Sequence, residues 1–579
     1  MSLLKKVIEW YSHLSPKTLC KLFLGIYFIL GIHYSVEGMT GWGLYLPTNV
    51  IGWMFVITFT GLGLWQIILT GNIQWSKTLT LLWLGFFCFI LPLLYPINEI
   101  SYNTTARVLF LFGGLAFYTA LVQFRYREQE RIQLLYIILA AIILQSIFGM
   151  IQYFGVWSES FWFILKKSSP YGSFTQRNVM ATFMATGIVV SLFLIGKDDN
   201  LIKSKIKTYM ILFIPFSASI IIMVHNSKVG FLGLIVLALQ LPNVSLGKKI
   251  YQFWFFMLFT GLIIGWFSPD IYRSVQSKKD DFNIRDSVEQ VSSIQSRITV
   301  YKRTLKMWID NPVSGIGYGR WPRVFREYSV SQRNENSQKD YVGDSPYRHP
   351  HNETLLWISE GGILPFLGLI IFAGAYLIMV FQFHWKDALP FLSLIMPIFL
   401  HTQVEYPFDI SLAHWIVFII IIYLPDNYNN IYYQIRIRKV IIVPAILTQL
   451  LLYYYMVATF FNANILIHFE NTEMKDNKLL LDIKDSGALY LKHENYLLKM
   501  LLESGLKSQN EETLELFLIK GEKFVNSFPK LHIYHGMKVA LLTLGRKKEA
   551  MTIDQKERYL FPYTYSKFHN KLSSLDKIQ

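Results

Sequence analysis

The sequence predicts an all-α protein that crosses a membrane many times, with a large loop on one side and a C-terminal helical domain on that same side. Three observations carry the prediction. Hydrophobic residues make up 53% of the 579 and charged residues only 16%, where a soluble domain carries about 25% charged. Apolar runs of spanning length recur along the chain. Lys and Arg gather in alternate connections between those runs.

A bilayer is crossed by roughly 17 to 25 apolar residues. Candidate spans lie at 19–34, 49–69, 77–95, 105–124, 132–154, 177–196, 208–224, 229–243, 250–268, 354–381, 387–402, 409–424 and 439–461. The expectation is thus a polytopic membrane protein of about 12 to 13 transmembrane helices, with 208–243 also readable as one broken hairpin. Lys5, Lys6 and Lys17 precede the first run, which begins at Leu19. No small-residue cleavage signature follows, so a retained helix is expected and not a signal peptide.

The positive-inside rule sets the orientation. With the N-terminus cytoplasmic, the inner connections hold Arg125, Arg127 and Arg131, then Lys197, Lys203, Lys205 and Lys207, then Lys248, Lys249, Lys386, Arg436 and Arg438. The opposite loops near 35–48 and 96–104 have neither Lys nor Arg. The formal net charge of +16 is therefore read as orientation against anionic membrane lipid, and no nucleic-acid partner is expected. Cys20 and Cys88 sit in apolar runs and build no disulfide framework, haem site or zinc site. Asp280 and Asp281 have no second ligand set at metal-like spacing, so neither a metal nor a cofactor is expected.

This topology divides the chain into a transmembrane core, 1–461, with a large outer loop at 269–353, and an outer helical domain at 462–579. A loop of that length is a functional segment more often than a connector. In the tail, Tyr534 to Arg558 reads as helix, turn at Gly545-Arg546, helix. Such pairs suit a tetratricopeptide-like (TPR-like) scaffold or a plain small helical domain.

The outer face collects the polar groups. Arg348-His349-Pro350-His351-Asn352-Glu353 closes the long loop and opens an apolar run. Ionisable groups at a lipid boundary are costly and point to function, although His and Arg also decorate helix ends. Gln176-Arg177-Asn178 opens one span and His225-Asn226-Ser227-Lys228 another. Arg297 precedes the amphipathic segment Ile298 to Ile309, and the turn Asn311 to Gly319 follows it. His401-Thr402-Gln403 ends a span just before Glu405-Tyr406-Pro407. Arg177 and Lys228 lie on the side that should be poor in cations. The glycines of 315–319 read as turn formers, with a phosphate nest as the weaker alternative because no Walker pattern is present.

Outward cations beside a bilayer suit a lipid-linked diphosphate, with Arg as a bidentate clamp and Lys as a point charge. A positioned His removes a proton from a hydroxyl nucleophile. Fixed positive charge offsets the charge growing on a diphosphate leaving group. Together these describe glycosyl transfer from a polyprenyl-diphosphate carrier to an acceptor hydroxyl. A non-enzymatic transporter would place its ionisable groups near the midplane of many helices instead.

The same residues resemble the O-antigen ligase and polymerase superfamily, and within it the PglL-type protein O-oligosaccharyltransferases. The resemblance rests on Gly172 to Asn178 with Ala181, on Ser227-Lys228-Val229-Gly230, and on Arg297. It continues through Asn311 to Gly317, His351-Asn352 with Glu360-Gly361, and Glu405-Tyr406-Pro407. It implies a glycosyltransferase in a bacterial inner membrane, multi-pass, with a cytoplasmic N-terminus and a periplasmic C-terminus. The implied donor is an undecaprenyl-diphosphate-linked oligosaccharide, and the implied acceptor a Ser or Thr of a pilin-like protein. The alternative is a lipopolysaccharide O-antigen ligase or polymerase with a sugar acceptor. Residue by residue, His351 matches the essential loop histidine, with His349 and Asn352 supporting it. Arg297 matches a loop arginine that contacts diphosphate, and Gln176 and Tyr406 match positions implicated in the protein-glycosylating branch; with them Lys228, Arg177 and Asn178 are expected to bind the lipid diphosphate and glycan, and Glu405 and Tyr406 to support the site. The family usually has Ser-Arg where this chain has Ser227-Lys228, so charge is kept but bidentate geometry is not. It often has Gln-Pro-Asn where this chain has Gln176-Arg177-Asn178.

Overall fold

A computed structural model describes residues 15–95, 102–155, 170–276, 285–332, 347–426, 432–437, 442–562 and 565. Asp280 and Asp281 lie outside the described residues. The helices in chain order begin with α1 Pro16–Ile29, α2 Pro47–Thr70, α3 Lys77–Ile90, α4 Tyr102–Phe124 and α5 Glu128–Phe154. They continue with α6 Arg177–Lys197, α7 Lys205–His225, α8 Lys228–Ile235, α9 Lys249–Gln276, α10 Arg285–Asp310 and α11 Trp321–Ser331. Next come α12 Glu353–Gly361, α13 Ile363–Val380, α14 Trp385–Thr402, α15 Pro407–Ile410, α16 Leu412–Tyr423 and α17 Ile442–Asn471. The tail holds α18 Asn477–Asp482, α19 Tyr490–Ser508, α20 Glu511–Ser527, α21 Leu531–Thr543 and α22 Lys547–Leu560.

Among the described residues, 9 helices are long and apolar enough to cross a membrane. They are Pro47–Thr70, Lys77–Leu94, Arg107–Phe124, Glu128–Phe154, Arg177–Lys197, Lys205–His225, Lys249–Ser268, Ile363–Val380 and Ile442–Asn471. The protein is an all-α, polytopic membrane protein. The other expected spans are also helical but shorter or more polar. In α8 the α-helix ends at Ile235 and a 3-10 stretch, Val236–Asn243, carries the chain on. The run expected at 354–381 is not continuous: Gly362, at φ +72, separates α12 from α13. A Cβ on Gly362 would stand 2.1 Å from the carbonyl oxygen of Val313. Only glycine lets those two backbone segments meet.

The helices pack as two compact units. The first comprises Met1–Phe86, Leu109–Asp281 and Ile370–Ile467. Its central helix is α6, whose spanning window is 89% buried. Helix α9 presses against α7 through Gly261 and Gly265, four residues apart on one face. Added Cβ atoms there would lie 2.3 Å from the Phe216 carbonyl oxygen and 3.0 Å from that of Ile220. Small residues at this spacing let membrane helices approach closely, where apolar burial alone gives little preference for one partner over lipid. Two connections expected on one membrane side pair as an antiparallel ribbon, β1 Asn72–Trp75 with β2 Tyr433–Arg436.

The second unit comprises Phe87–Val108, Phe282–Leu369 and His468–Gln579. In it α10, α11 and α12 close around Val300, Met307, Ile316, Trp321, Phe325 and Leu356. The tail has its own core, including Leu498, Phe517, Phe524 and Met537. The helix-turn-helix expected at Tyr534 to Arg558 is α21, a turn with Gly545 at φ +73, and α22. Helix α11 docks on this tail. Arg323 donates to the Asn526 carbonyl at 3.0 Å, and buried Arg326 lies 4.2 Å over the Phe561 ring.

Candidate functional site

Each unit carries its own set of the expected residues. In the first unit, four elements converge on Asn178. Gln176 is the N-cap residue of α6, and Arg177 and Asn178 form its first turn. Asn226, at φ +47, ends α7 in the left-handed conformation that Asn tolerates. It thereby turns the chain sharply into Ser227, whose hydroxyl caps α8 by accepting from the Gly230 amide at 3.3 Å. The same hydroxyl donates to Asn178 Oδ1 at 3.0 Å. Asn178 Nδ2 donates to Glu405 Oε1 at 2.8 Å. Glu405 follows α14, its amide held 2.9 Å from the His401 carbonyl oxygen, and its side chain is buried beside the His401 ring.

Arg177 and Lys228 are exposed and each occupies the first helical position. A cation there opposes the positive end of the helix dipole, so both helix ends gain from an anion placed over them. Gln176 and Tyr406 are half-buried, and Tyr406 caps the short α15.

In the second unit the histidine pair forms a tight turn before α12. His351 stands at φ +59, a conformation that is uncommon outside glycine and is maintained only where neighbours enforce it. The neighbours are identifiable. The His351 amide donates to His349 Nδ1 at 2.9 Å, and Tyr301 of α10 donates to the His351 carbonyl oxygen at 3.0 Å. Asn352 caps α12 by accepting from the Leu355 amide at 2.8 Å. His349 is buried, whereas His351 is half-buried. Because His349 Nδ1 accepts, its ring is the neutral form with the proton on Nε2, and that nitrogen lies 3.7 Å from Glu353 Oε1. Burial pushes the Glu353 carboxyl up to about 7, against the opposing pull of Arg107 and Arg348.

Arg297 differs from expectation in one respect. It does not precede the amphipathic helix but sits inside α10, which begins at Arg285. It lies four residues before Tyr301, hence on the same helix face, and that face meets the histidine turn through Tyr301. The glycine turn is structural. The amides of Ile316 and Gly317 donate to the carbonyls of Ser359 and Glu360, both at 2.9 Å. Those amides are thus committed to α12, and the phosphate-nest alternative is withdrawn.

Sequence reasoning gave no role to Arg107 or Thr182, and named Glu360 only as part of a motif. Glu360 is fully buried, ion-paired to Arg107, and accepts the Trp321 amide at 3.0 Å. A lone Arg at the head of an apolar run was the available signal for Arg107. Thr182 is one turn below Asn178 on α6, facing His401.

Exposed cations and buried carboxylates thus stand at the ends of helices in a multi-pass membrane protein. Comparison with known families specifies the class. Residues 211–373 match the model described as O-Antigen ligase, 170–195 match Protein glycosylation ligase, and 390–574 match Virulence factor membrane-bound polymerase, C-terminal. No curated protein matches the chain. The family matches support the O-antigen ligase and polymerase superfamily, with similarity to the protein glycosylation ligases. It is a multi-pass membrane glycan ligase, a glycosyl-transferring enzyme whose family acts on a lipid-linked oligosaccharide and an acceptor.

Proposed function

We propose that the chain is a metal-independent protein O-oligosaccharyltransferase of a bacterial inner membrane, with its N-terminus cytoplasmic and its C-terminus periplasmic. It moves a glycan from undecaprenyl diphosphate to a Ser or Thr hydroxyl of a pilin-like periplasmic protein. The observation that carries the protein acceptor is the first turn of α6. Gln176, Arg177 and Asn178 lie within the stretch matched to the protein glycosylation ligases, 170–195, and Asn178 is hydrogen-bonded to Ser227 and to Glu405.

His351 takes the proton of the acceptor hydroxyl as the hydroxyl oxygen bonds to the anomeric carbon. The bond from that carbon to the diphosphate breaks, and its electron pair leaves with the carrier. Lys228, Arg177 and Arg297 offset the charge that grows on the diphosphate. Asn178 and Gln176 serve the same ligand. His349, Asn352, Glu405 and Tyr406 hold these groups in place. His349 keeps His351 in its left-handed turn and is not the base, since its Nδ1 is already occupied. The tail, 462–579, presents a helical, TPR-like surface to the acceptor protein.

Matches of 211–373 to O-Antigen ligase and of 390–574 to a polymerase C-terminal region favour a second reading, with a sugar acceptor. Deleting the gene separates the two. Loss of glycan from pilin-like proteins supports the protein acceptor; loss of O-antigen with pilin glycosylation intact overturns it.

A further inference from the structure

Thr182, His401 and Glu405 form a buried row in the first unit, and the transfer chemistry alone gives His401 and Thr182 nothing to do. All three are shielded from solvent. Thr182 Oγ lies 3.0 Å from the carbonyl oxygen of Asn178, to which it donates. It also lies 2.9 Å from His401 Nδ1. A hydroxyl has one proton to give. With that proton on the Asn178 carbonyl, Nδ1 is the donor to Thr182; with it on Nδ1 instead, Nε2 carries the ring proton and donates to Glu405 Oε2. A neutral ring with its proton on Nδ1 has a lone pair on Nε2, and Nε2 faces Glu405 Oε2 at 3.2 Å. A lone pair against a carboxylate repels. In the first arrangement the contact needs one further proton on the line from Nε2 to Oε2. It exists either as imidazolium with carboxylate or as imidazole with carboxylic acid, and the pair has no net charge in either case.

Beyond the pair each donor in the row is used. Glu405 Oε1 accepts from Asn178 Nδ2, Asn178 Oδ1 accepts from Ser227, and Ser227 accepts from the Gly230 amide. We propose that His401 and Glu405 share one proton, and that His401 and Thr182 are positioning residues for the helix ends that carry Arg177 and Lys228. The inference rests on the transferase reading for its functional consequence, though not for the proton itself. Losing the shared proton sets a carboxylate against the Nε2 lone pair. The relief available is for the Thr182 hydroxyl to turn toward Nδ1, which releases the Asn178 carbonyl and loosens the first turn of α6. Of the charged or titratable groups on the packed elements, Arg177 on α6, Lys228 on α8, Asp409 on α15 and His414 on α16 lie toward the helix ends that carry the pair. His414 is held by Ser411 and the Val179 carbonyl.

The test uses the full chain purified in detergent. Infrared difference spectra across a pH titration should contain one protonation signal that Glu405→Gln and His401→Gln each remove and that Thr182→Val shifts. Transfer rates should fall on the alkaline side of the wild-type profile. His401→Gln should lose that alkaline limb, and Thr182→Val should raise the donor KM roughly tenfold, as expected when a buried hydrogen bond is lost, with Thr182→Ser restoring it. Thr182→Val is nearly isosteric and keeps the test valid if a His401 variant does not fold. A signal lost in only one of the Glu405 and His401 variants overturns the shared proton. Superimposable pH profiles in wild type, His401→Gln and Thr182→Val overturn the positioning role. A joint infrared signal without transfer to any protein acceptor leaves the proton pair standing and defeats the acceptor reading instead.

Discussion

Glu353→Gln is the sharpest perturbation of the histidine turn. Its carboxyl is pushed from the ordinary 4.5 up to about 7 by burial beside His349, despite Arg107 and Arg348. A displacement of that size corresponds to about 3 kcal/mol of folded-state preference for the neutral acid. One fifth of the side chain remains exposed, so the figure is an upper bound. The folded form binds the proton more tightly than the unfolded form. The stabilisation is therefore fully present below 4.5 and is lost as pH rises through about 7. Glutamine keeps the volume and stays neutral throughout. Apparent melting temperatures of the detergent-solubilised protein, taken between about pH 5 and about pH 8, should show the wild type falling relative to Glu353→Gln. The two proteins should converge at the acid end. Parallel curves across the range, or a wild type that gains stability toward alkaline pH, would refute the buried neutral acid.

His351→Ala should lower transfer by roughly 10² to 10⁴, the usual contribution of a general base, with an unchanged melting profile. His349→Ala should cost about 1 to 3 kcal/mol of stability, because the His351 amide loses its acceptor, and should lower transfer through His351; a melting curve and a rate separate the two effects. Lys228→Ala should raise the KM for the lipid-linked donor about tenfold, as removal of one charge-assisted contact does, and steady-state kinetics at two ionic strengths should show a weaker salt dependence than wild type. Gly315→Ala should destabilise the second unit, read as a lower melting temperature. Gly315 stands at φ +66, and an added Cβ would meet the Glu360 carbonyl oxygen at 2.4 Å.

The membrane architecture was legible because apolar length is a one-dimensional property and each run announces itself. The break at Gly362 was not, since apolar residues flank it on both sides and its cause is the distant backbone of Val313. The ribbon of 72–75 with 433–436 was hidden for a similar reason: short strands far apart have no local signature. Among the candidate residues, Asn178, Lys228 and Glu405 were visible as polar groups at span ends, and the structure brings the ends bearing them together. What stayed hidden was Thr182, because a threonine within an apolar helix reads as core until its partner across the helix pair is known. Arg107 and Glu360 pair over a separation of 253 residues, beyond the reach of any local pattern.

The account stands or falls on the acceptor. Purified protein, undecaprenyl-diphosphate-linked glycan and a pilin-like protein are incubated together, and the acceptor is weighed by intact-mass spectrometry. The account predicts a mass gain of one glycan on a Ser or Thr with wild type and none with His351→Ala. An unmodified acceptor protein, with the glycan passed instead to a lipid-linked sugar, would contradict it.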